Sequence, residues 1–349
     1  MAVGYYKSAS GAWHGLLLTG SGSSWTATTP PLPANAETKK YSYLDSLACG
    51  LLSGCSATGQ YTDTSGQQQG LLLTRSGSSW TATEAPLPPN AQSGPYMATV
   101  TCAPAGPCVA AGDYADTSGH QQGLLLTGSG SSWTAAKAPV PANASADPVT
   151  SPESAACASP TECFVAGEYD GPSSDSQPLL ETWSGSSWAG SEAPLPADAQ
   201  DQGANLDSVI CASVSECFVV GEYDGPSGGQ PLVLTWSGGT WAAAGPPLPA
   251  NAASTSQVAP LISAACPSAA ECVAVGWYID TSDHWQALLD RWPGSSWTAT
   301  EAPLPPNAAT NPGATFESVA CASASECVAV GSYTDASGGR QGMLVTEPG

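Results

Sequence analysis

Short apolar stretches alternate with polar turns along the chain, and the same four stretches return in the same order. The first, a, ends in a cysteine, as in Ser318-Val319-Ala320-Cys321. The second, b, reads Cys327-Val328-Ala329-Val330-Gly331 and enters a Tyr-x-Asp turn. The third, c, reads Gly70-Leu71-Leu72-Leu73-Thr74, and the fourth, d, starts at Gly-Ser-Ser-Trp and runs into Ala-Pro-Leu-Pro, as from Trp80 to Pro88. Each is bounded by Gly, Ser, Asp and Pro, and no helical period of any length occurs, so the pattern predicts an all-β protein.

The copies keep step with six C-x5-C pairs that use all twelve cysteines: Cys49 with Cys55, Cys102 with Cys108, Cys157 with Cys163, Cys211 with Cys217, Cys266 with Cys272 and Cys321 with Cys327. Their first members lie 53, 55, 54, 55 and 55 residues apart, which marks one repeated unit. Four strands in a unit of about 50 residues make the blade of a β-propeller; a sandwich does not need the same strands repeated, and a β-helix uses shorter repeats. Proline within or just after d suits an edge strand, which puts a innermost and d outermost. Strands b and c occur seven times but a and d six, because the chain opens on a copy of b (Ala2-Val3-Gly4-Tyr5-Tyr6) and closes on a copy of c (342–346). The favoured arrangement is one propeller over residues 1–349 with seven blades of four strands, the first lacking its inner strand and the last its outer one. Its units fall at about 1–36, 41–91, 96–144, 151–199, 205–252, 260–308 and 316–349. The alternative is six blades and a surplus hairpin, which is marginal when left unpacked. Met1 stands where other copies have Cys-Val and Gly349 stops inside a Gly-Ser-Ser-Trp copy. The sequence therefore reads as a fragment of a longer gene, with incomplete ends able to exchange strands between molecules.

The order of a, Val-Gly-x-Tyr-x-Asp in b, a long turn, c, then Trp with Ala-Pro-Leu-Pro resembles the kelch repeat, a β-propeller unit. It departs at the glycines: one remains at the end of b (Gly59, Gly112, Gly167, Gly221, Gly276, Gly331) where kelch units carry two, and kelch units lack the cysteine pair. The chain is more similar to secreted actinobacterial repeat proteins whose units read Ser-x-x-Cys, five residues, Cys-x-Ala-Val-Gly-x-Tyr, then Gly-Ser-Ser-Trp-Thr. The likeness covers nearly the whole chain. It implies a propeller and an extracellular home, and no particular activity.

Charge and cysteine usage narrow the setting. Only 10% of residues are charged, against about a quarter in an ordinary domain. The 29 acidic and 7 basic residues leave a formal charge of -22, which repels phosphate backbones and anionic membranes and argues against a nucleic-acid partner. No apolar run is long enough to span a bilayer and no signal-peptide pattern follows Met1, so no membrane span is expected. Six local cysteine pairs fit an oxidising compartment. The three histidines, His14, His120 and His284, stand apart from these pairs, so zinc lacks its four ligands. Disulfides are expected at all six pairs, and the protein is expected to be secreted or at the cell surface.

Candidate chemistry is sparse. Gly225-Pro226-Ser227-Gly228-Gly229 matches G-x-S-x-G but lies in a hairpin turn, not the strand-to-helix turn of a nucleophile elbow. A carboxylate recurs after b, at Asp63, Asp116, Asp170, Asp224, Asp280 and Asp335. A ring of such groups suits calcium or an acid–base pair, but Asp-x-Ser-Gly and Asp-Gly-Pro-Ser are also turn formers, and a residue repeated in every blade serves the blade. The tryptophans of d (Trp25, Trp80, Trp133, Trp188, Trp241, Trp297) read as blade packing for the same reason. Function is expected where blades differ. Trp13, Trp285 and the three histidines occupy b-to-c turns of unequal sequence, and Trp277 is a further tryptophan outside the repeat. Exposed rings beside hydroxyls, amides and a carboxylate suit a sugar. The leading reading is a secreted, non-catalytic propeller that binds a carbohydrate or an extracellular protein and needs no cofactor, calcium being the one candidate. Its rivals are an extracellular hydrolase or lyase with carboxylates at the channel mouth and a structural protein that self-associates through its ends.

Overall fold

The computed structural model describes residues 1–21, 24–37, 41–50, 54–173, 175–200, 203–323 and 326–348. Among these every regular element is a strand, and the strands form seven antiparallel sheets, the blades of an all-β propeller. Blades 2 to 6 run a-b-c-d, as in Ser42–Gly50, Gly54–Thr62, Gln68–Ser76 and Ser79–Glu84 of blade 2. Blade 1 has b, c and d only (Ala2–Lys7, Trp13–Ser21, Ser24–Thr28), and blade 7 has a, b and c only (Thr315–Ser323, Glu326–Thr334, Arg340–Pro348). The seven-blade count with incomplete ends holds. The chain divides into two compact units, residues 1–174 with 179–191, and 175–178 with 192–349.

One local device recurs in every complete pair of a and b. The register steps over one residue of a, from Leu44 to Ser46 in blade 2 and from Leu261 to Ser263 in blade 6, opposite the glycine of b. A Cβ on Gly59 or Gly276 would run into the carbonyl oxygen of Tyr43 or Pro260. The glycine that ends b is therefore required by a β-bulge that brings two backbones together. The bulged residue itself is free to vary: Asp45, Ala98, Glu153, Asp207, Ile262, Glu317.

Two residues after the glycine, Tyr61, Tyr114, Tyr169, Tyr223, Tyr278 and Tyr333 are buried. Their hydroxyls donate to Asn35, Asn90, Asn143, Asp198, Asn251 and Asn307 at 2.8 to 3.2 Å. Those acceptors lie in the links from the preceding blade, so each tyrosine pins its own link while filling the core.

All six cysteine pairs are disulfides joining a to b, and among the described residues no cysteine is free. The two ends of each bridge differ in surroundings. On strand b, Cys55, Cys108, Cys163, Cys217, Cys272 and Cys327 are buried. On strand a, Cys49 is exposed and Cys102, Cys157, Cys211, Cys266 and Cys321 are half-buried. Strand b is flanked by a and c, so its cysteine faces the packing between sheets, whereas a lies at the free edge of its sheet.

The core lies between successive sheets. Leu72 of blade 2 meets Met97, Ala110 and Leu124 of blade 3, and Phe218 and Val220 of blade 5 meet Ala274 and Leu288 of blade 6. Cys272 and Cys327 belong to these inter-sheet clusters in the second unit, and Cys163 does so in the first. The a strands of successive blades touch, with Val100 N–H donating to Ser46 Oγ and Val319 N–H to Ser263 Oγ. Strand a is thus innermost. The tryptophans of d differ in burial: Trp297 is buried within its cluster, Trp80, Trp133 and Trp188 pack half-buried at the rims of theirs, and Trp25 is exposed. Two carboxylates occupy core positions that are leucine in other blades. Glu181 and Asp290 stand where other c strands place Leu73, Leu126 and Leu234; both are fully buried, and neither carboxyl has a hydrogen-bond partner. Burial lifts the Glu181 carboxyl well above its ordinary range and the Asp290 carboxyl to about 7.

Candidate functional site

The recurring carboxylates build the b-to-c turns. Asp63 Oδ1 accepts from the Ser65 hydroxyl at 2.6 Å and from the N–H groups of Ser65 and Gln67 at 2.9 Å, while Oδ2 accepts from Gln69. Asp335 repeats the arrangement with Ser337, Gly339 and Gln341. These bonds, the serine hydroxyls first, hold both carboxyls down at about 2. Asp116 and Asp280 accept two backbone N–H groups each; burial pushes them up, but the hydrogen bonds and the neighbouring His120 or His284 prevail and their pKa values fall. Asp170 accepts from Val149 N–H, and the Asp224 N–H donates to the Gly203 carbonyl. Among the described residues no group of three or more His, Cys, Asp or Glu is placed to hold a metal ion.

With the turns fixed, two positions of each blade stand diagonally across the b–c ladder near its turn end: the residue after the glycine of b and a residue at the start of c. In blade 1 they are Tyr5 and Trp13, with ring centroids 5.5 Å apart. Tyr43, from strand a of blade 2, closes a trio at 5.1 Å from Tyr5 and 6.2 Å from Trp13, and Lys7 Nζ lies 5.5 Å over the Trp13 ring. In blade 6 the same two positions hold Trp277 and Trp285, stacked at 4.7 Å with Trp285 48% exposed. In three other blades the pair is polar: Gln68 donates to Gln60 in blade 2, Gln121 to Asp113 in blade 3, and Arg340 to Ser332 at 2.6 Å in blade 7. The scaffold is constant and this pair changes from blade to blade.

A second feature adjoins it in the first unit. Asp45, Asp113, Glu153 and Glu168 come from strands a and b of blades 2 to 4. Burial raises Asp113 to about 6, against the Gln121 hydrogen bond, and raises Asp45. Glu153 is raised by burial and then by the charges of Glu168 and Asp113, and the Tyr96 hydroxyl by burial and by Asp45, Glu153 and Asp113. Sequence reasoning sought acids in the turns and missed this patch. A signal existed, since the bulged residue of a is acidic in four of six copies, Asp45, Glu153, Asp207 and Glu317.

The residues singled out in the sequence separate into three groups. Trp13, Trp277 and Trp285 join the aromatic pairs, and His14 lies half-buried with its ring 5.6 Å from Tyr6. The other two histidines serve turns: His120 is exposed, with Nδ1 3.8 Å from Asp147, and His284 Nδ1 lies 3.9 Å from Asp280. The cysteines fall outside any surface site. Cys55, Cys108, Cys163, Cys217 and Cys272 are bridged and buried, as is Cys327, so their part is to hold the fold and they offer a ligand neither a thiol nor an accessible face.

No family model and no curated protein matches the chain. Among solved structures it is similar to AofleA from Arthrobotrys oligospora, with 11% identity over 86% of this chain and 82% of that one and a TM-score of 0.42. It is similar to the Aleuria aurantia lectin, described as a six-bladed β-propeller with a novel fucose recognition mode, with 11% identity over 87% of this chain and 96% of that one and a TM-score of 0.41. The Hadza microbial sialidase Hz136 gives 10% identity over 87% and 65%, with a TM-score of 0.48. At this distance no residue or activity is carried across.

Proposed function

We propose that the protein is a secreted, non-catalytic propeller that binds carbohydrate, free or carried on an extracellular protein, at the turn end of its b–c ladders. The observation that carries this is the recurrence of an aromatic pair, Tyr5/Trp13 and Trp277/Trp285, at a pair of positions that varies between blades. Packing does not require a half-exposed Trp285. An indole of that kind offers a face to the C–H side of a pyranose, while Lys7 and the neighbouring amides offer donors to its hydroxyls. Six disulfides support an extracellular setting. The test is an immobilised glycan array probed with the 349-residue protein. Retention on a subset of glycans is expected, and retention on none overturns the reading. Release of cleaved product would transfer the assignment to a hydrolase using Asp113 and Glu153.

The end blades favour a second reading, self-association. On blade 7, Val330 is 41% and Leu344 65% exposed, whereas their counterparts Val275 and Leu289 in blade 6 are 0% and 1% exposed against the next sheet. On blade 1, Tyr6, Leu16 and Leu18 form the opposite kind of face, whose counterparts Tyr61, Leu71 and Leu73 are buried. The two faces are complementary halves of the interface that the chain repeats internally, and self-association would join them head to tail between copies. Light scattering should show mass rising with concentration, and Leu344→Glu should abolish the rise. A wild-type monomer at every concentration contradicts it.

A further inference from the structure

A cavity of about 410 Å³ opens between strand d of blade 3 and the c-to-d turn of blade 4, away from the turn end of the b–c ladders. It is lined by Trp183 and Trp188, with ring centroids 5.5 Å apart, together with Thr127, Thr134 and Lys137. Trp188 Nε1 donates to Thr127 Oγ1 at 3.2 Å. Trp183 Nε1 is buried without a partner, as is the carboxyl of Glu181 two residues earlier on the same strand.

The chain contains its own control for this cavity. Between blades 5 and 6 the same tryptophan pair recurs as Trp292 and Trp297, with centroids 5.7 Å apart and buried Asp290 in the place of Glu181. There the Phe218 ring is wedged against both indoles, at 6.1 and 6.2 Å, and Trp297 is buried. The residue of blade 3 that corresponds to Phe218 is Val109, which belongs to the buried cluster on which Trp183 and Trp188 pack. A shorter side chain at this one position accompanies an open cleft where its counterpart is plugged by a phenyl ring. A flat-faced group of ring size fits beside two indoles, and hydroxyls and an ammonium around the rim match a polyol better than a hydrocarbon.

We propose that this cleft is a separate binding site for one pyranose residue, its C–H face on Trp183 and Trp188 and its hydroxyls toward Thr127, Thr134, Ser187 and Lys137. The proposal extends the carbohydrate reading but uses different residues, so the two can fail separately. The probe is a panel of methyl glycosides (gluco, galacto, manno and fuco) followed by saturation-transfer NMR. At least one is expected to bind the wild type. Val109→Phe, which copies Phe218, is expected to weaken that glycoside about tenfold or more while the thermal midpoint holds or rises. Thr134→Arg, at an exposed position of strand d, blocks the same cleft without touching the core and gives the same loss. Binding by neither of these folded variants differing from wild type, or no glycoside binding the wild type, overturns the proposal. Trp13→Ala removes array binding at the turn end only, so a surviving cleft signal in that variant distinguishes the two sites.

Discussion

Replacing Asp290 by leucine stabilises the protein, by about 1 kcal/mol at pH 4 and by roughly 5 kcal/mol at pH 8. The position is fully buried, its carboxyl oxygens have no partner, and leucine already occupies it in blades 2, 3 and 5. Even neutral, an unbonded carboxyl in an apolar cluster costs about 1 kcal/mol. The larger part of the effect comes from ionisation. Burial raises the folded-state pKa from 3.8 to about 7, so the folded protein keeps a proton that the unfolded chain gives up. This penalty is absent below pH 4, grows as pH rises from 4 to 7, and levels off above, amounting to ~4 kcal/mol. Glu181→Leu has the same sign, since burial raises that carboxyl too. Urea-unfolding midpoints across the range measure both; a stability gain independent of pH would contradict the assignment.

Reducing the six disulfides lowers the melting temperature steeply while the β-sheet circular dichroism below the transition is kept. Each bridge closes a loop of a few residues between a and b, with a sequence separation of 6. Loop-closure entropy makes each worth roughly 2 kcal/mol, so six are bounded by ~12 kcal/mol. Because every bridge joins strands already paired in one ladder, its loss loosens a hairpin without unmaking the sheet. Calorimetry with and without reductant, and mass mapping of the intact bridges, provide the check. An unchanged melting temperature, or a bridge between blades, would contradict it.

Much of the fold is legible in the sequence because its rules are local and repeated. The C-x5-C pairs fix the unit, and the orphan copies of b at Ala2 and c at Gly342 announce two incomplete end blades. The bulge is less visible: one glycine in b reports a close approach, but its partner in a, such as Tyr43 for Gly59, is known only once the register is seen. Glu181 and Asp290 hide for a different reason. Strand c is buried on both faces, so it lacks the alternation that would mark a polar residue as inward, and Leu-Leu-Glu-Thr reads as an ordinary strand. The aromatic trio and the acidic patch are out of reach of any single repeat, because Tyr5 meets Tyr43 and Asp113 feels Glu153 across blades. The tryptophans of d were legible as packing groups, but not as rim residues, since exposure depends on the neighbouring blade.

The claim at the centre of this account is that ligand recognition uses the positions that vary between blades while the repeated ones hold the fold. Its most direct test is to titrate a glycan retained on the array against wild type, the double variant Trp13→Ala/Trp285→Ala, and Trp80→Ala, with thermal unfolding followed in parallel. The double variant should lose affinity about tenfold or more at an unchanged melting temperature. Trp80, half-buried against the core of blades 1 and 2, should on truncation cost about 1–3 kcal/mol of stability and leave affinity intact. Equal losses of affinity and stability in both variants would contradict the division.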